Sequence, residues 1–289
     1  MKQIFVIIFF FFFRLNSFSQ SFHVDAGLGV VAYNGDLQLQ KIKPNTFLPA
    51  FTVGMGYQIN SHIGINGNIL YGKLKGDDKK AIKPQLVARN LNFTSELVEG
   101  NLLLEYHLFS TDVPPLINPF IYAGIGVYHF NPYTFDSVGG KVFLQPLGTE
   151  GQGLPQYPDR KKYSLNQFNI PFGGGIRYRI NNHVTLSAEV SFRKLFTDYL
   201  DDVSMSYPDS LLLLKARGPL AVKYSFRKNE LDPTARWPTD GNRGNATRND
   251  TYYFVLFKLS FTLPQGNHLF KNGVVKSRKS KVSCPDKVL

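Results

Sequence analysis

With one cysteine, Cys284, in 289 residues, the chain cannot form an intramolecular disulfide framework, so its fold must rest on hydrogen bonding and burial. It also lacks an apolar run of about 20 residues, the length a membrane-spanning helix needs. Catalytic signatures are missing as well: no HExxH zinc motif, no phosphate-binding glycine loop and no nucleophile elbow. The histidines are dispersed, at His23, His62, His107, His129, His183 and His268. His129 with Asp136 and Ser137 has the residue types of a lipid-modifying site at a barrel rim, but an interfacial histidine beside a polar loop is the simpler reading. Asp198, Asp201 and Asp202 offer hard oxygen ligands, yet without the alternating ligands and central glycine of an EF-hand. Loop-structuring hydrogen bonds, or ion pairs with Arg193 and Lys194, are expected there instead. Gly173-Gly174-Gly175 follows Pro171 and leads into no helical pattern, so these glycines read as backbone geometry, and no cofactor or metal is expected.

What is present begins with Lys2, an apolar run from Ile4 to Phe13, Arg14 and the small-residue stretch Ser17-Phe18-Ser19-Gln20, the layout of a secretory signal peptide over 1–19. Cys284 is far from this processing site, which argues against a lipid anchor. Export changes the meaning of the charge of +12 and the pI near 9.6. Nucleic acid is excluded as a partner, and negative outer-membrane lipids and lipopolysaccharide, or an acidic periplasmic protein, take its place. Part of the excess lies in a basic tail over 264–289, where Lys271, Lys276, Arg278, Lys279, Lys281 and Lys287 face only Asp286.

Between these ends the hydrophobic pattern has a period of two. Tyr253, Val255, Phe257, Leu259, Phe261 and Leu263 alternate with Lys258 and Ser260, and Val184, Leu186, Ala188, Val190 and Phe192 alternate with Thr185, Ser187, Glu189, Ser191 and Arg193. Phe168 to Ile180 repeats the pattern around Arg177 and Arg179. Five further strands are expected near Phe22 to Ala32, Thr46 to Gln58, His62 to Gly72, Phe93 to His107 and Phe120 to Phe130. The connections then alternate short and long, which favours a barrel over a secreted β-sandwich, because outer-membrane barrels have short periplasmic turns and long extracellular loops. The expected fold is all-β: an eight-stranded antiparallel transmembrane β-barrel over 20–263. Aromatic residues near strand ends, at Tyr33, Tyr57, Tyr71, Tyr106, Tyr128, Phe130, Tyr178, Tyr252 and Tyr253, are expected at the membrane interfaces. Inside, Asp25, Glu99, Glu105 and Glu189 are expected to meet Arg177, Arg179, Arg193 and Lys258, since buried charges need partners.

Three loops carry a family likeness: Tyr33-Asn34-Gly35-Asp36-Leu37; Leu144-Gln145-Pro146-Leu147-Gly148-Thr149-Glu150-Gly151-Gln152-Gly153; and Phe196-Thr197-Asp198-Tyr199-Leu200-Asp201-Asp202-Val203-Ser204. Together they resemble the Bacteroidota outer-membrane barrel family with a DUF6089-type domain, which includes PorG of the type IX secretion system. Arg243-Gly244-Asn245 is similar to that family's final loop, although Ala246 stands where its proline is expected. The resemblance implies a non-enzymatic barrel that tethers a periplasmic ring lipoprotein and other secretion subunits to the outer membrane. The alternative is a small surface barrel with lipid-modifying or ligand-binding activity.

Overall fold

The computed structural model describes residues 21–38, 46–112, 115–238 and 241–263. The signal peptide over 1–19, the basic tail over 264–289 and Cys284 lie outside the described residues. Eight long strands are present: β1 (Phe22–Asn34), β2 (Leu48–Gln58), β3 (Ile63–Asp77), β4 (Asn92–His107), β5 (Ile117–Phe135), β7 (Asn166–Arg179), β8 (Val184–Leu195) and β9 (Thr251–Thr262). A short ninth, β6 (Lys141–Phe143), pairs only with the outer end of β5. Every pairing is antiparallel, the first strand joins the last, and β4 joins β5, so the sheet closes into an eight-stranded barrel. Closure leaves no sheet edge to satisfy in a membrane.

The turns after β2, β4 and β7 gather at the end that holds Phe22 and Leu263, and the Leu263 N–H donates to the Phe22 carbonyl at 2.8 Å. By the barrel rule this end is periplasmic and the long connections face outward. Two strands run farther out than the sequence indicates, β3 to Asp77 and β5 to Phe135. The outer loops also carry helices: α1 (Pro84–Arg89), α2 (Ser210–Arg217) and α3 (Pro219–Ser225). Asp209 caps α2 by accepting the Leu212 N–H at 2.8 Å, and Pro219 opens α3, where its missing N–H costs nothing.

Alternation along the strands sends Leu28, Met55, Ile69, Ile125, Phe168 and Phe257 to the exposed outer wall, as a lipid-facing belt requires. The inner face is polar only in part. Toward the outer end Val31, Leu70, Leu97, Leu195, Phe254 and Leu256 fill the barrel and continue into the loops through Leu200 and Val203. This corrects the expected aromatic belt: Tyr33, Tyr128, Phe130 and Tyr252 are buried in that core, whereas Tyr71, Tyr106 and Tyr178 face outward. A ring near a strand end suits either position, and side-chain parity decides between them. Tight coiling is visible at Gly124, where an added Cβ would lie 2.0 Å from the Leu102 carbonyl oxygen of the neighbouring strand.

Candidate functional site

Two polar assemblies occupy this fold, one inside the barrel and one in the loops above it. Inside, Glu99 is fully buried and accepts from Arg193 Nε at 3.0 Å and Nη2 at 2.9 Å, from Tyr252 at 2.7 Å and from Asn101 at 2.7 Å. The guanidinium of Arg193 lies 4.6 Å from the centre of the Phe254 ring. Closer to the periplasm, Lys258 pairs with Glu189 at 2.7 Å and stands 3.9 Å from Asp25, while Arg177 pairs with Glu105 at 2.6 Å. Seven of the eight expected lumen charges therefore meet an opposite charge. Arg179 does not: it lines a polar cavity of about 260 Å³ at the periplasmic mouth and has no carboxylate partner among the described residues.

Above the barrel, the three motif loops converge. Gly35 pairs with Gln38 to close a tight turn, Asn34 accepts from Arg248 at 2.7 Å, and the buried Asp36 carboxylate accepts the Asn245 N–H at 2.7 Å. In the third loop Pro146 and Leu147 form a single 3₁₀ turn, followed by Gly148, Gly151 and Gly153 at φ of 56°, 75° and 74°. A Cβ on Gly151 would meet the Tyr157 ring at 2.8 Å, so glycine is required there for space as well as for conformation. This path buries Thr149, Glu150 and Gln152; Gln152 accepts the Glu150 N–H at 3.0 Å, and Thr149 donates to Asp202. In the fourth loop Thr197 accepts the Tyr199 N–H at 3.2 Å, and Tyr199 stacks on Tyr163 with centres 5.0 Å apart.

Arg243 joins these loops. Only 2% exposed, it donates to Glu150 at 3.1 Å, to the Ser225 carbonyl at 3.2 Å and to the Asp202 carbonyl, and lies 3.6 Å from the Asp202 carboxylate. Glu150 also accepts the Ser204 and Met205 N–H groups, each at 2.9 Å. A second arginine, Arg89, forks onto Asp78 at 2.7 and 2.8 Å and donates to the Asp36 and Arg243 carbonyls. The expected ion pairs of the aspartate cluster with Arg193 and Lys194 do not form, because Arg193 belongs to Glu99 in the lumen. Asp201 accepts from Tyr33, which also reaches Asp250 at 3.3 Å.

This cap is rich in buried carboxyls, and burial sets their protonation. Desolvation raises Asp201 and Asp250 well above the usual carboxylate range, and neighbouring carboxylates add to the rise in both. Asp202 is pushed up to about 6 by burial against the opposing pull of Arg243. Asp198 rises to about 7, again through burial, with the Ser204 hydroxyl opposing the rise. Among the described residues no group of three or more Asp, Glu, His or Cys is arranged to hold a metal ion.

Sequence reasoning missed Arg89, Asp78 and Asp250 as members of the cap. Arg243 was visible only as part of the final-loop likeness. His129, Asp136 and Ser137 do not form a catalytic set: the His129 ring pairs with Asn166 at 2.8 Å, and Asp136 accepts the N–H groups of Val138 and Gly140 in its own turn.

No curated protein matches the chain. Among solved structures, it is similar to Neisserial surface protein A, at 11% identity and a TM-score of 0.43, over 85% of this chain and 100% of that one. The outer membrane protein OprG from Pseudomonas aeruginosa is 11% identical over 84% of this chain and 95% of its own, with a TM-score of 0.40. The outer membrane enzyme PagL is 14% identical over 82% and 97%, with a TM-score of 0.32. The model of the outer membrane protein beta-barrel domain matches residues 5–209, and with the closed barrel and its lipid-facing wall already described, the chain belongs to that outer-membrane family.

Proposed function

We propose that this barrel is a non-enzymatic scaffold: a PorG-like, DUF6089-type member of a Bacteroidota type IX secretion system that holds periplasmic ring components at the outer membrane. Export runs through the signal peptide over 1–19. The docking surface comprises the short periplasmic turns and the basic tail over 264–289, whose charge attracts an acidic partner without specifying it. The ring lipoprotein and other secretion subunits are the partners this reading names.

The observation that carries the proposal is the filled interior. Apolar side chains pack the outer part of the lumen, and the Glu99–Arg193–Tyr252 cluster lies buried beneath them. A barrel of eight strands has room for side chains and little else. Such a plug suits an anchor, which needs a rigid membrane element and an accessible periplasmic face, better than a transporter. The three loops that carry the family likeness meet in one hydrogen-bonded cap, so their residues share a structural task.

Affinity purification of the tagged barrel from its native outer membrane in mild detergent, with mass spectrometry of what accompanies it, tests the proposal. Recovery of the ring lipoprotein and secretion subunits is expected. Recovery of the barrel alone, as a heat-modifiable monomer, would remove the scaffold role. Lipid A unchanged on gene deletion is the corresponding expectation against a lipid-modifying enzyme.

A further inference from the structure

We infer that the outer face of the cap binds an anionic saccharide of the outer leaflet, in a groove of about 1040 Å³ between the second and fourth loops. This inference is independent of the periplasmic scaffold role.

The distribution of charge in the cap leads to it. The acidic side chains Asp78, Glu150, Asp198, Asp201, Asp202 and Asp250 are all buried inside the cap. Two of the groove's arginines are committed inward, Arg89 to Asp78 and Arg243 to Glu150 and Asp202. Four exposed cations remain in the lining: Lys83, Lys228, Arg236 and Arg248. Among the described residues Lys83, Lys228 and Arg236 form no ion pair; Lys228 has the half-buried Asp232 near it and shares its turn with Glu230, which Arg227 holds, and Arg248 donates to the neutral Asn34. Among the described residues Asp36 is the one carboxylate in the lining, and it already accepts the Asn245 N–H. Acids turned inward and cations turned outward leave the groove with excess positive charge beside a leaflet of phosphorylated sugars.

The rest of the lining selects a sugar over an acidic peptide. Gln85, Asn242 and Asn245 supply amides that both donate to and accept from hydroxyls. Pro84, Pro238 and the half-buried ring of Tyr207 supply flat apolar surface for the C–H faces of a pyranose. Trp237 sets that wall, donating to the Pro208 carbonyl at 2.9 Å and packing on Tyr207 with centres 6.0 Å apart. Cations alone would hold any polyanion, whereas amides and apolar faces beside them recognise a phosphorylated or carboxylated saccharide.

The test is calorimetric titration of the full chain in detergent with delipidated, phosphorylated core saccharide prepared from the native lipopolysaccharide. The triple variant Lys83→Gln, Lys228→Gln, Arg236→Gln alters exposed residues only, and heat-modifiable migration on gels verifies its fold. Binding by the parent and about a tenfold loss in the variant are expected, three exposed charge contacts being worth about that much together. The charge-preserving variant Lys83→Arg, Lys228→Arg, Arg236→Lys is expected to bind like the parent. Undiminished binding by the glutamine variant would overturn the inference, as would polyglutamate or inorganic phosphate binding as tightly as the saccharide.

Discussion

Replacing Arg243 with methionine is expected to open the cap while leaving the barrel closed. The side chain keeps its length and loses its charge, so Glu150 and Asp202, both fully buried, lose the one ion-pair partner they have among the described residues. Removing one member of a buried ion pair costs about 3–5 kcal/mol, mostly the penalty of stranding the partner. Burial already holds Asp202 up at about 6 with the arginine in place, and without it the carboxyl rises further. The folded cap then binds more protons than the opened one across the interval from about 4 upward, so its stability falls as pH increases through that interval. The loss is therefore largest near pH 8 and smaller near pH 5. Limited trypsin digestion reads the open population at Lys161 and Lys162, exposed residues beside Tyr163, which donates to Asp202 at 2.7 Å. Cleavage at pH 8 should accelerate by about two to four orders of magnitude. Arg243→Lys should recover part of the loss, since a point charge cannot reproduce the guanidinium fork. An unchanged cleavage rate, or an equal acceleration at pH 5 and pH 8, would refute the reasoning.

Other outcomes are expected. Asp198→Asn should slow the same cleavage at pH 8, because a carboxyl raised to about 7 by burial weakens the cap above that pH; the gain, about 4 kcal/mol from the full shift, falls to about 2 once solvent screening is allowed for. Glu99→Ala should cost the barrel about 3–5 kcal/mol in urea unfolding, and pairing it with Arg193→Met should recover most of that, because the stranded guanidinium is removed as well. Gly124→Ala should cost about 1–3 kcal/mol or impair assembly, read as loss of the heat-modifiable band, since its Cβ would overlap the Leu102 carbonyl. The parent barrel in a planar bilayer should show no steady conductance, and a current that persisted in purified wild type would contradict the filled interior.

The barrel was legible because strand parity and loop length are local signals. Lys258 and Arg193 stand opposite runs of apolar residues, and short and long connections alternate along the chain without help from tertiary structure. The inner face was less legible toward the outer end. There Tyr252, Phe254 and Leu256 turn inward on the same parity as Lys258, so the pattern becomes apolar on both faces and period two no longer separates lipid from lumen. The cap was harder still. Thr149, Glu150 and Asp202 stood out through the family likeness, but what they do depends on Arg243, whose bond to Glu150 spans 93 positions. Asp78 and Arg89 lie in a loop that carried no recognised motif, and each would have read as an ordinary solvated charge. Only the fold that brings loops two, three and four together reveals that these charges are buried.

The seam between β1 and β9 bears on how the protein is made. It pairs His23 with Thr262 and Asn34 with Thr251, so the first strand waits for the last before one of its edges is satisfied. Chain closure over so long a separation is slow, and it cannot begin until nearly all of the described chain has been synthesised and moved across the inner membrane. During that interval β1 presents an open row of amide and carbonyl groups to any other chain in reach. A truncation that removed β9 would therefore do more than shorten the protein: it would prolong that unpaired state indefinitely and leave a substrate for periplasmic chaperones and proteases.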